Sequence, residues 1–170
     1  MRIYIESTIP SYVVARPARD LLQAARQQLT RIWWDSQREK HELFTSQVVL
    51  EEIAAGERAM AQRRLQIMAG IAVLDSTPAI ESLAATVLKS GLLPATAVGD
   101  AMHIALATAH RMDILLTWNC RHIANPAIVG RLRRLAERQS QILPEVYTPA
   151  EFTGGQYEEA SKKNLSPKRR

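Results

Sequence analysis

Apolar and polar positions along this chain follow two rhythms. Short runs rich in β-branched and apolar residues stand at Arg2–Glu6 (with Ile3-Tyr4-Ile5), Leu43-Phe44-Thr45, Ile71–Leu74 and Ile114–Thr117. Such runs read as strands. Between them, apolar residues recur every three or four positions, the rhythm of an amphipathic helix. Helices are therefore expected from Ser7 or Thr8 until Pro17 breaks the segment, and from a cap at Asp20 to about Lys40. Further helices are expected from a cap at Ser46 to Gly56, from Glu57 to Met68, from Pro78 to Lys89, from Gly99 to Arg111 and from Pro126 to Gln139. In the Asp20–Lys40 segment, Leu22, Ala25, Leu29, Ile32 and Trp33 mark the expected inward face. Val146-Tyr147 can add a last edge strand.

Strands separated by helical segments are β-α-β units, which force a parallel sheet covered by helices on both faces. The run Ile114–Thr117 is apolar without alternation, as in a strand buried on both sides. A parallel sheet places its ligands beyond the carboxyl ends of its strands. Glu6 lies at such an end, Asn119 just past another, Glu52 and its neighbour Glu51 near the start of the helix after the second strand, and Asp100 at the start of the apolar run Ala101–Ala107. Brought together, these acids repel one another unless a cation intervenes, and carboxylates with water suit the hard ions Mg²⁺ and Mn²⁺. Taken singly, each reads equally as a helix-terminal or solvated charge, since acids at helix N-termini are favoured by the helix dipole.

Length and composition narrow the classes. The chain has 170 residues, enough for one domain with a full core, and a single cysteine, Cys120, which excludes a disulfide scaffold and fits a reducing compartment. The longest clean apolar run, Met68–Leu74, is far below the ~18 residues of a membrane span, and Glu6 interrupts any signal-peptide core; a cytoplasmic protein without membrane association is expected. The net charge of +5 is mostly a property of the end: Lys162, Lys163, Lys168, Arg169 and Arg170 against Glu158 and Glu159 give +3 and leave +2 for residues 1–155. The reading divides the chain into a globular domain over 1–152 and a disordered basic tail over 153–170.

Four strings in order, IYIESTIPSY, TSQVVLEEI, GDAMHIALA and LLTWNCRHI, resemble the PIN domain family, and more closely its VapC-like toxin ribonucleases. The resemblance covers roughly residues 1–150. It implies a three-layer α/β/α sandwich around a parallel sheet of four or five strands. It also implies a Mg²⁺- or Mn²⁺-dependent endoribonuclease that cleaves single-stranded RNA, is neutralised by a cognate antitoxin and forms a homodimer. Carried over residue by residue, Glu6, Glu52, Asp100 and Asn119 match the four metal-site positions, with Thr8 and Thr117 at the accompanying hydroxyl positions. Glu52 is preferred to Glu51 because an apolar residue, Ile53, directly follows it.

Two positions depart from the family pattern. Glu6 stands where Asp is usual and reaches roughly 1.5 Å further, one C–C bond. Asn119 stands where a fourth acid is usual, so four formal negatives become three. Weaker metal binding follows, with one tight ion rather than two. The same departures support an alternative, a catalytically weakened PIN-like domain that binds RNA or protein. A structure-selective DNA nuclease ranks below both, because the chain lacks the long insertions that thread DNA. Trp118, beside Asn119, can stack a base or pack under the next helix. Arg131, Arg134 and Arg138 share a helix face that is either solvated or a phosphate track. Cys120 and His122 form a conceivable nucleophilic pair, and His103 a residue lining or flanking the pocket.

Overall fold

The structure is a computed structural model and describes residues 1–152. The expected disordered tail, residues 153–170, lies outside the described residues. Five parallel strands, β1 (Arg2–Ile5), β2 (Glu42–Ser46), β3 (Ala72–Leu74), β4 (Ile114–Leu116) and β5 (Glu145–Tyr147), form one sheet in the order β3-β2-β1-β4-β5. Helices α1 (Thr8–Val14) and α2 (Leu21–Gln37) connect β1 to β2. Helices α3 (Gln47–Ala54) and α4 (Arg58–Met68) connect β2 to β3. Helices α5 (Pro78–Lys89) and α6 (Val98–Ala109) connect β3 to β4, and α7 (Pro126–Arg138) connects β4 to β5. No helix among the described residues is long and apolar enough to cross a membrane.

The strand order locates the functional edge. From β1 the chain first builds outward through β2 and β3, then returns to the other side of β1 for β4 and β5. The order reverses between β1 and β4, and the segments leaving their carboxyl ends part there to open a crevice. Ile3, Tyr4 and Ile5 are fully buried in the central strand, and Ile114, Leu115 and Leu116 beside them are nearly so. This buried strand pair at the centre of the sheet fixes the two ends that flank the crevice.

Most helix signals act as expected. Asp20 accepts from the Gln23 N–H at 2.8 Å and Ser46 from the Val49 N–H at 3.4 Å, and Thr77, not singled out from the sequence, accepts from the Ile80 N–H at 3.4 Å, each satisfying a first-turn donor. Gly56, at φ +88°, takes the left-handed turn after α3 that a side chain would strain. Ser7 does occupy the cap position of α1 but makes no side-chain cap bond; its hydroxyl donates to Glu6 instead. The long helix stops at Gln37, and residues Arg38–Lys40 tighten into a 3-10 turn.

The inward face of α2 differs from the expected stripe. Leu22 is 62% exposed and Ala25 is exposed, whereas Gln27, Thr30, Trp33, Trp34 and Gln37 are buried. The reason is polar satisfaction. The Gln27 side chain donates to the Arg16 carbonyl at 3.0 Å and accepts from the Ala18 N–H at 3.1 Å, which ties the 15–20 segment to the helix. The Thr30 hydroxyl accepts from the Trp118 indole N–H at 2.7 Å. Hydrophobic periodicity cannot register these residues, because their burial depends on partners distant in sequence.

Thr30→Val keeps the shape of this contact but leaves a buried indole N–H without an acceptor. A loss of about 1–3 kcal/mol is expected, read as a lower urea midpoint with an unchanged slope. A midpoint equal to that of the parent protein would contradict this account of the α2 face.

Candidate metal centre

Glu6 follows the last residue of β1, where its backbone N–H still donates to the Leu116 carbonyl at 3.2 Å. The residue is 3% exposed. Its carboxylate is held by short-range donors: Oε1 accepts from the Ser7 hydroxyl at 2.7 Å, and Oε2 from the Thr8 N–H at 3.1 Å, the Thr8 hydroxyl and the Thr117 hydroxyl, the last at 2.7 Å. Thr8 also accepts from the Trp118 N–H at 2.8 Å, and Thr117 from the Asn119 N–H at 2.9 Å. The two threonines thus lace the end of β1 to the end of β4 through one carboxylate.

Glu52, on the second turn of α3, faces Glu6 across the crevice. Its Oε2 accepts from His103 Nε2 at 3.1 Å, and His103 is 1% exposed. Glu51 accepts from Gln47 Nε2 at 3.1 Å on the exposed side of α3. Donor atoms of Glu6, Glu52 and His103 all lie within 4.8 Å of one another, a grouping that can hold a metal ion. One turn before His103 on α6, Asp100 takes a separate pair of partners. Its Oδ1 accepts from Asn119 Nδ2 at 2.8 Å and its Oδ2 pairs with His122 Nδ1 at 2.5 Å. The Asn119 Oδ1 is engaged by the His122 backbone N–H at 3.1 Å.

The site therefore consists of two adjoining clusters. Glu6, Glu52 and His103 form one; Asp100, Asn119 and His122 form the other. Thr117 joins them by bonding both Glu6 and Asn119. All six residues singled out in the sequence lie in this network. Asp100 and Asn119, however, sit outside the tight three-residue grouping. The Asn119 side chain is turned toward Asp100 as a donor.

Electrostatics follow from the same contacts. Burial alone pushes His103 downward, but the bond to Glu52 and the charges of Glu6, Glu52 and Asp100 outweigh it and leave the imidazole above its ordinary value. Glu52 moves the other way: partial burial pushes it up, and the bond and charge of His103, with a hydrogen bond from Ser7, bring it below its ordinary value. Tyr4, buried in β1, is raised far out of its usual range, chiefly by desolvation, and stays a neutral phenol.

In sequence, the chain matches no family model and no curated protein. Its fold does have a solved counterpart. A chain in the crystal structure of VapBC2 from Rickettsia felis, bound to a DNA fragment from their promoter, aligns with a TM-score of 0.50 at 13% identity, over 87% of this chain and 98% of that one. This is the α/β fold that the resemblance implies. At so low an identity, the likeness speaks for the fold and leaves the site to be argued from its own residues.

Two neighbours of the acids, His103 and His122, were named from the sequence but not as their partners. His103 is bonded to Glu52, beyond merely lining the pocket, and His122 pairs with Asp100; Cys120 is exposed and no nucleophilic pair forms. The i, i+3 spacing of Asp100 and His103 was the available signal, since it puts both on one face of α6. Trp118 is 8% exposed, donates to Thr30, and has Tyr12 beside it and Arg26 over its ring, so the indole packs and presents no open face to a base. Arg131, Arg134 and Arg138 line an open groove of about 290 Å³ together with Ser90, Leu92 and Leu135.

The shifts in Glu52 and His103 set a pH window for the metal-free protein. A lowered Glu52 stabilises the fold above 4.5 and loses that contribution as pH falls through its folded value. A raised His103 stabilises it below 6.5 and loses that contribution as pH rises through its folded value. The pair contributes most between these two values, so the melting temperature in the presence of a chelator should peak there. Glu52→Gln should flatten the alkaline side of the peak. A metal-free melting curve that keeps rising beyond pH 8 would contradict the pairing.

Proposed function

We propose that this chain is a metal-dependent endoribonuclease that hydrolyses phosphodiester bonds of single-stranded RNA, and that it is the toxin of a type II toxin–antitoxin pair. The observation that carries the reading is Glu6. This carboxylate is 3% exposed, has no Lys or Arg ion-pair partner among the described residues, and has ligand atoms of Glu52 and His103 within 4.8 Å, a grouping that suits a divalent cation. The crevice at the strand-order reversal, with Glu52 close to Glu6 and Asp100 in the adjoining cluster, supports the same reading, as does the likeness in fold to a chain of a VapBC2 complex.

Glu6, Glu52 and Asp100 would hold Mg²⁺ or Mn²⁺, with Asn119 at the edge of the site. When bound, the ion supplies Lewis-acid charge at the scissile phosphate and lowers the pKa of a water. Thr8 and Thr117 hold Glu6 in one rotamer. Asp100 is assigned to receive the proton of the attacking water, with His122 and Asn119 fixing the orientation of its carboxyl group. A cognate antitoxin, a second copy of the chain and a cytoplasmic location belong to this proposal.

One observation favours the second reading, a weakened domain that binds RNA or protein without cleaving it. Both Asp100 oxygens are already engaged, one by the Asn119 amide where the family pattern has an acid. The two readings separate on RNA cleavage. The nuclease reading expects cleavage of an unstructured RNA with Mn²⁺, none with a chelator, and at least about a tenfold loss in Asp100→Asn while the circular dichroism stays unchanged. Full cleavage by Asp100→Asn would remove Asp100 from the site.

Asn119→Asp tests the neighbouring position. It replaces a donor 2.8 Å from Asp100 Oδ1 by a second carboxylate, so the metal-free variant should melt below the parent protein. Added Mn²⁺ should raise its melting temperature by more than it raises that of the parent. An equal rise in both proteins would place residue 119 outside the metal site.

A further inference from the structure

A buried line of hydrogen bonds reaches Glu52 from behind. The Ser46 Oγ and the Tyr4 hydroxyl lie 2.7 Å apart, the Tyr4 hydroxyl and His103 Nδ1 2.9 Å apart, and His103 Nε2 and Glu52 Oε2 3.1 Å apart. Tyr4 is fully buried, and Ser46 and His103 are each 1% exposed. The line draws on β1, the end of β2 and α6. It also closes on itself: Ser46 is the residue that caps α3, and Glu52 lies six residues along the same helix, about 9 Å further on its axis. Leaving the helix at its cap, the bonds return to it at the acid.

Against the other oxygen of the carboxylate stands Gly99, one turn before His103 on the same helix. A Cβ built at that position would lie 2.7 Å from Glu52 Oε1, closer than real side chains approach. Gly99 lies within α6 with no unusual backbone angle, so its lack of a side chain is a matter of space rather than conformation. Glu52 is thus held at one oxygen by His103 and given room for the other by Gly99. Without these restraints, an acid whose side chain is 38% exposed would sample several rotamers.

We propose that Ser46, Tyr4 and His103 are positioning residues that fix the Glu52 carboxylate for metal binding, and that Gly99 keeps open the place in which it is fixed. This rests on the metal-site reading of the preceding section. Of Glu52's two oxygens, Oε2 is spent on His103, and Oε1, which lies over Gly99, is left as the ligand. His103 itself stays out of the metal's coordination sphere, since each of its ring nitrogens is already bonded to a side chain. The division of labour is that of carboxylate ligands in general, whose orientation is set by a second ring of hydrogen bonds.

The test is Mn²⁺ affinity, measured by electron paramagnetic resonance on the full chain with no RNA present. His103→Leu should weaken binding by about ten- to a hundredfold. His103→Gln, whose amide can donate to Glu52 from nearly the same place, should recover most of that loss. Tyr4→Phe, which keeps the ring and removes only the hydroxyl, should weaken binding in the same direction by less. Gly99→Ala should leave the fold intact, because only the mobile end of Glu52 must give way, yet it too should weaken binding. Near-ultraviolet circular dichroism confirms folding, and the glycine variant keeps the test open should His103→Leu fail to fold. The proposal is overturned by unchanged affinity in the folded His103→Leu or Gly99→Ala variant. It is equally overturned by nitrogen hyperfine coupling from a directly bound imidazole that disappears in His103→Gln. A parent protein that binds no Mn²⁺ at all would take the metal-site reading down with the proposal; unaltered variants beside a parent that binds would remove the relay alone.

Discussion

A buried carboxylate at the end of the central strand is the constraint around which this molecule is arranged. Glu6 leaves β1 where the sheet order reverses, and four hydrogen bonds from Ser7, Thr8 and Thr117 compensate its lost hydration. Those donors are also structural. Thr8 receives the Trp118 N–H and Thr117 the Asn119 N–H, so satisfying Glu6 brings the turn after β4 onto the start of α1. The Trp118 indole then donates to Thr30, which is why a threonine is buried on α2. From one acid, a single line of contacts runs through the first loop, the fourth strand and the longest helix.

The layout of the fold was legible because it depends on local signals. β-Branched runs, caps at Asp20 and Ser46, and prolines opening α5 and α7 each act within a few residues. Helix ends and strands fell close to their expected positions. The face of α2 was less legible. Its buried Gln27 and Thr30 owe their place to the Arg16–Ala18 backbone and to Trp118, and no periodicity encodes a partner that far away. Leu22, correct in spacing, meets nothing at the exposed start of the helix.

The candidate site was legible to a similar depth. Acids at strand ends and helix starts could be read from topology, and the structure brings Glu6 and Glu52 within reach of each other. What the resemblance could not supply is how each acid is held in this particular chain. The imidazoles of His103 and His122 lie on α6 and in the turn after β4, far from Glu52 in sequence, and only the packing of α6 against α3 and of that turn against α6 reveals the pairs.

These pairs bear on why three acids can share a small volume without tearing the fold apart. Each carboxylate is given a different kind of partner. Glu6 has hydroxyls and an N–H, Glu52 has an imidazole on a buried relay, and Asp100 has an amide and a second imidazole. Ser7 is set against both Glu6 and Glu52, and the remaining hydrogen-bond partners are divided among the three carboxylates, so mutual repulsion is offset locally. Asn119 fits this logic. An acid there would face Asp100 at hydrogen-bond distance with no donor between them, whereas the amide supplies the donor. An amide at position 119 therefore leaves the side chains around Asp100 mutually satisfied, while Glu52 is anchored at one oxygen by an imidazole that is itself held from behind.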